Sequence, residues 1–129
     1  MGLSQYDEQI PVLAACELDS GDGTTPKQIY AADYYDVRLD TILITTNSLV
    51  DIGVCVFMNI NSNGYSIFGM TIPAGSGFGG VPAVDVIGEM VTHNVGGLLL
   101  PKNQDINIYV TEALAAGKVL DVVAMGGSI

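Results

Sequence analysis

Residues 52–72 read IGVCVFMNINSNGYSIFGMTI, and the periodicity of this one stretch decides the fold class. Its even positions Ile52, Val54, Val56, Met58 and Ile60 are all apolar, while the odd ones are Gly53, Cys55, Phe57 and Asn59. A period of two puts alternate side chains on opposite faces of a strand. The segment therefore predicts a central strand with one core face and a second, half-covered one. Asn63-Gly64 follows, a dipeptide that tolerates the positive φ of a type I′ hairpin turn. Tyr65 to Ile72 then returns as the partner strand, with Phe68, Met70 and Ile72 inward.

The same period recurs along the chain. Ile106, Ile108 and Val110 alternate with Asp105, Asn107, Tyr109 and Thr111, the pattern of a sheet with one wet face. Lys118 to Met125 carries Leu120, Val122 and Ala124 on one side and Val119, Asp121, Val123 and Met125 on the other, so its second face is suited to meeting a neighbour. Weaker strand patterns cover Pro11 to Leu18, Gln28 to Tyr35, Val37 to Thr45 and Gly97 to Leu100, bounded by turn-rich segments such as DSGDGTTP and THNVGG. One helix is expected within Pro82 to Met90, with Pro82 at its first position and Gly88 limiting it to one or two turns. These elements predict an all-β fold: an antiparallel β-sandwich, jelly-roll-like, with at most one short helix. It spans residues 1–129 as a single domain, with residues 1–10 a candidate extended arm.

Composition narrows the function classes. Charged residues make up 14% of the chain, where about 25% is ordinary, and apolar residues make up 49%. So little charge leaves either a surface rich in small polar residues or one partly buried against other subunits. The net charge of −10 is opposed only by Lys27, Arg38, Lys102 and Lys118, which excludes a basic stripe for nucleic acid. No apolar run is long enough for a membrane span, and Met1 to Ile10 lacks the pattern of a signal peptide, so synthesis and folding in a cytoplasm are expected. Cys16 and Cys55 read as reduced, buried thiols in that compartment, with a disulfide between them as the open alternative.

Reaction chemistry finds little purchase. Gly75, Gly77 and Gly80 match the G-x-G-x-x-G spacing, but a dinucleotide fingerprint must follow a buried parallel strand and open a full helix. Here Pro73 and Pro82 bracket the glycines, the flanking strands read as antiparallel, and no cofactor is expected. Ala74 to Val81 reads instead as a mobile or contact-making loop from which Phe78 projects. His93 is the one imidazole and the cysteines are far apart in sequence, so neither a cupin-type metal site nor a zinc site can be assembled. There is no G-x-S-x-G elbow, and ELDSGDGT (17–24) matches an Asx-rich turn better than a calcium loop. Tyr30, Tyr34 and Tyr35 read as sheet packing. No catalytic or metal-binding residue is assigned, and the chain is not expected to be an enzyme.

The succession TIPAGSGFGGVPAVDVI (71–87), GGLLLPKNQDINIYV (96–110) and AGKVLDVVAMGG (116–127) resembles the capsid decoration, or cement, proteins of tailed bacteriophages. The likeness covers Val37 to Gly127. It implies a structural virion protein, a homotrimer seated on the outside of the head and bridging neighbouring major capsid proteins. Expected contact residues are Tyr6 and the loop residues Gly75, Gly77, Phe78, Gly79 and Gly80. A second reading is a jelly-roll binding module, the receptor- or carbohydrate-binding head of a phage fibre.

Overall fold

The computed structural model describes residues 10–90 and 97–129; Tyr6, His93 and nearly all of the expected arm lie outside them. In chain order the described elements are β1 (Pro11–Asp19), a 3-10 turn (Ser20–Asp22), β2 (Lys27–Ala31), β3 (Val37–Thr46), β4 (Ile52–Ile60), β5 (Asn63–Ile72), β6 (Val84–Asp85), α1 (Val86–Met90), β7 (Leu98–Leu100), β8 (Asp105–Val110) and β9 (Val119–Ser128). One sheet has the order β1-β9-β3, with β6 and β7 both paired to the far side of β3; the other has the order β2-β8-β4-β5. Every pairing is antiparallel. The chain is wound concentrically: β1 pairs with β9, β2 with β8, β3 with β7 and β4 with β5. That nesting, split between two sheets, is a jelly roll.

The alternation in sequence becomes an aliphatic layer between the sheets. Ile42, Ile44, Leu120, Val122 and Ala124 face it from the five-stranded sheet, and Val54, Val56, Met58, Ile106, Ile108 and Val110 from the four-stranded one, all buried. Burying each large aliphatic side chain contributes roughly 1.5–3 kcal/mol. Among the described residues no buried side-chain nitrogen or oxygen lacks a hydrogen-bond partner. Thr46 Oγ1, for example, donates to the Val119 carbonyl at 2.7 Å.

Four local expectations are corrected. The β4–β5 turn is Asn61-Ser62, with φ of 51° and 70°, while Asn63 already pairs with Ile60 as the first residue of β5. Gly64 is the second residue of β5, paired with Asn59, and does not take positive φ. β2 stops at Ala31 because Ala32 turns to the β7–β8 connection, its N–H donating to Gln104 O and its carbonyl accepting from Asn103 N. Tyr34 and Tyr35 thus lie beyond the strand, and Tyr34 is exposed. The helix begins at Val86, because Val84–Asp85 pair with Leu43 and Ile44, and the Asp85 carboxylate accepts from Ile87 N. Cys16 and Cys55 are free thiols and half-buried rather than buried. Cys16 lies on the inward side of β1, where burial pushes its thiol pKa up, and Cys55 on the outward side of β4.

β9 runs three residues past Met125 because Gly126 lets it stay close to β3. A Cβ at Gly126 would collide with the Arg38 carbonyl. Gly126→Ala is expected to lower unfolding stability by about 1–3 kcal/mol; an unchanged denaturation midpoint would contradict the packing described.

Candidate functional site

Of the eleven large hydrophobic side chains that stay exposed among the described residues, five lie at two adjoining places. The first is the outer face of the five-stranded sheet, where strand register sets up the rows Leu13–Met125–Thr41, Ala15–Val123–Leu43 and Glu17–Asp121–Thr45. The first two rows are apolar apart from Thr41, and Leu13 is 75% exposed. β1, which carries Leu13 and Ala15, is the edge of its sheet, and an open edge can pair with another chain.

The third row sets two carboxylates directly across from each other. Like charges at such positions repel. Glu17 has its pKa raised, first by a hydrogen bond shared with Asp121 and then by the repulsion between them. With Ala15, Thr45 and Val123, the pair borders a shallow depression of about 590 Å³.

The second place is one end of the sandwich, where the β3–β4 and β5–β6 connections are bonded together. Thr46 N donates to Ser76 O and Gly75 N to Ser48 O, both at 3.0 Å, and Ala74 N donates to the Asp51 carboxylate. Within the second loop, Phe78 N donates to Gly75 O and Gly77 N to Val81 O. The loop read as mobile or contact-making is thus pinned to its neighbour by hydrogen bonds. Gly75, Gly77, Gly79 and Gly80 all have positive φ. At Gly77 a Cβ would also come within 2.5 Å of Thr45 Cγ2, so only glycine lets this loop close onto the margin of the sheet face.

Three large apolar side chains project from this tip: Leu49 at 82% exposed, Val50 at 65% and Phe78 at 52%. Of the sequence-derived contact residues, the structure brings Gly75, Gly77, Phe78, Gly79 and Gly80 together, and Tyr6 is outside the described residues. Leu49 and Val50 were missed. Their signal was an apolar pair inside the polar turn TTNSLVD (45–51), where nothing in the local pattern calls for burial.

The other sequence candidates resolve locally. The glycine motif joins β5, an edge strand, to β6 in the other sheet, and both strands pair antiparallel. In ELDSGDGT the Asp19 carboxylate accepts from Gly21 N and Asp22 N while Asp22 accepts from Asp19 N, a reciprocal cap of the 3-10 turn. That bond to the Asp19 backbone, with Lys27 nearby, lowers the Asp22 pKa. Among the described residues no three His, Cys, Asp or Glu side chains converge as a metal ion would require, and no helix is long and apolar enough to cross a membrane.

No protein-family model matches the chain, and no curated protein matches it.

The Glu17–Asp121 row makes a pH dependence. A carboxyl whose pKa is raised by folding favours the folded state when protonated, and that contribution is lost as pH rises through the folded pKa. Glu17→Gln is therefore expected to melt above the parent protein at pH 7, with the difference closing below about pH 4. Equal melting temperatures at both pH values would contradict the pairing.

Proposed function

We propose that this chain is a non-enzymatic structural protein of a virion, a decoration protein that seats on the outside of a phage head as a homotrimer. The observation that carries the reading is the pinned apolar tip of Leu49, Val50 and Phe78, supported by the apolar rows of the adjoining sheet face. Large apolar groups held ready on hydrogen-bonded loops lose little freedom when a partner covers them, which is how a preorganised contact gains affinity. In this proposal the tip enters an apolar recess between neighbouring major capsid proteins. The Leu13–Met125 and Ala15–Val123 rows pack copy against copy.

Seating on several shell subunits at once raises occupancy through effective concentration, so modest burial at each tip suffices. The net charge of −10 keeps the protein off the packaged nucleic acid and limits nonspecific association. The resemblance of residues 37–127 to decoration proteins and the jelly-roll winding, an architecture used by viral capsid domains, both agree with this assignment. Synthesis in the host cytoplasm and residence on the capsid exterior follow from it.

The test is co-sedimentation with expanded heads of tailed phages. The parent protein is expected to pellet with the heads and raise their resistance to heat. Leu49→Ser with Phe78→Ser is expected to weaken binding by about tenfold or more, since each removed contact is a large buried apolar group. Binding unaffected by the double substitution would refute the tip as the contact, and absence of binding to any expanded head would refute the decoration role.

A further inference from the structure

The outer face of the four-stranded sheet differs in kind from the apolar tip. Strand register sets up the rows Asn107–Phe57–Ser66, Asp105–Asn59–Gly64 and Tyr109–Cys55–Gly69, with the β4 residue in the middle of each. Among the outward side chains of β4, β5 and β8, Asp105 alone is charged, in a chain with 14 acidic residues.

Phe57 and Tyr109 form a tilted pair, ring centroids 6.0 Å apart and planes at 55°, both half-buried. The edge strand beside them contributes Gly64 and Gly69, so no side chain from those two positions covers the rings. Next to the rings, the Asp105 carboxylate accepts through Oδ1 from the side-chain amides of Asn59, at 2.8 Å, and Asn107. Among the described residues, Asp105 Oδ2 and the amide oxygens of Asn59 and Asn107 accept no hydrogen bond.

The polar row continues into a depression of about 410 Å³ lined by Asn59, Asn61, Ser62, Asn103, Gln104 and Asp105. The hairpin and the β7–β8 turn that form it are tied together by a bond from Asn61 N to Gln104 Oε1.

We infer that this face and its depression form a binding site for a neutral carbohydrate. A pyranose ring offers an apolar C–H face and a fringe of hydroxyls, each both donor and acceptor. Half-exposed aromatic rings beside fixed amides and one carboxylate match that combination, the rings taking the C–H face and Asp105 Oδ2 with the Asn59 amide oxygen accepting from hydroxyls, while the buried Asn107 holds the carboxylate in place. The outward side chains of β4, β5 and β8 supply no cation for a phosphate or sulfate, and Asp105 repels an anion. One carboxylate with neutral amides is short of the ligand charge a calcium ion takes. The inference does not depend on what the apolar tip binds, since the tip and this depression are built from different connections.

The test is a titration of the full 15N-labelled chain with neutral oligosaccharides (maltohexaose, cellohexaose, mannohexaose and a galactose hexamer), with anionic sialyllactose as the control. At least one neutral sugar is expected to give saturable amide shifts at Asn59, Asp105, Asn107 and Tyr109, with Kd in the millimolar range. Tyr109→Ala and Asp105→Ala are expected to weaken binding about tenfold or more. Gly69→Leu provides a variant that leaves every proposed ligand in place: a Cβ there meets nothing closer than Val54 O at 3.7 Å, so it fits the fold while obstructing the rings. It is expected to cause a similar loss while the rest of the spectrum stays folded. No shifts at these residues with any neutral sugar would overturn the inference. So would shifts produced only by sialyllactose, or shifts that Tyr109→Ala and Gly69→Leu leave unchanged.

Discussion

Everything outside the sandwich is arranged by what its interior will not hold. The space between the sheets is filled by aliphatic side chains, Ile42, Ile44, Leu120, Val122 and Ala124 against Val54, Val56, Met58, Ile106, Ile108 and Val110, contributed by alternate residues of strands whose register is fixed by concentric pairing. A one-residue slip in any of them would turn its aliphatic set to water. Close packing of that layer leaves no room for further large groups. Leu13, Leu49, Val50 and Phe78 therefore stay outside, on an edge strand and on loops, although the chain has few charges with which to offset them.

The exposed groups are only partly sorted, since Ile60 and Tyr65 also stand exposed on the β4–β5 hairpin. The end formed by the β3–β4 and β5–β6 connections carries the apolar tip, and the β4–β5 and β7–β8 turns carry a depression lined by amides, a hydroxyl and one carboxylate. Both arrangements come from backbone geometry. Glycines with positive φ shape the tip loop, while Asn61, Ser62 and Asn103 take the left-handed conformation at the polar depression.

The strands with strict alternation were legible from sequence. For β4 and β8 the period of two survives directly as inward and outward faces, because each is paired on both sides within its sheet. Non-local pairings were not legible. Val84 and Asp85 are drawn into a strand by Leu43 and Ile44, and Glu17 meets Asp121 only through the β1–β9 register. The hairpin turn is displaced by two residues from the Asn63-Gly64 signal, the stronger local pattern, because Asn61-Ser62 takes the positive φ values and Asn63 and Gly64 pair within β5. At the tip, glycine spacing drew attention to Phe78, but the loop that holds Leu49 and Val50 beside it is joined through backbone bonds that no sequence pattern announces.

Because the apolar rows of the outer sheet face are the feature on which the proposed assembly depends, the most direct measurement is the mass of the purified protein in solution by light scattering across a wide concentration range. Three times the 13.5 kDa of one chain is predicted, falling to a single chain when Leu13→Lys and Met125→Lys place charge on the packed rows. A single-chain mass for the parent protein even at millimolar concentration would contradict the account.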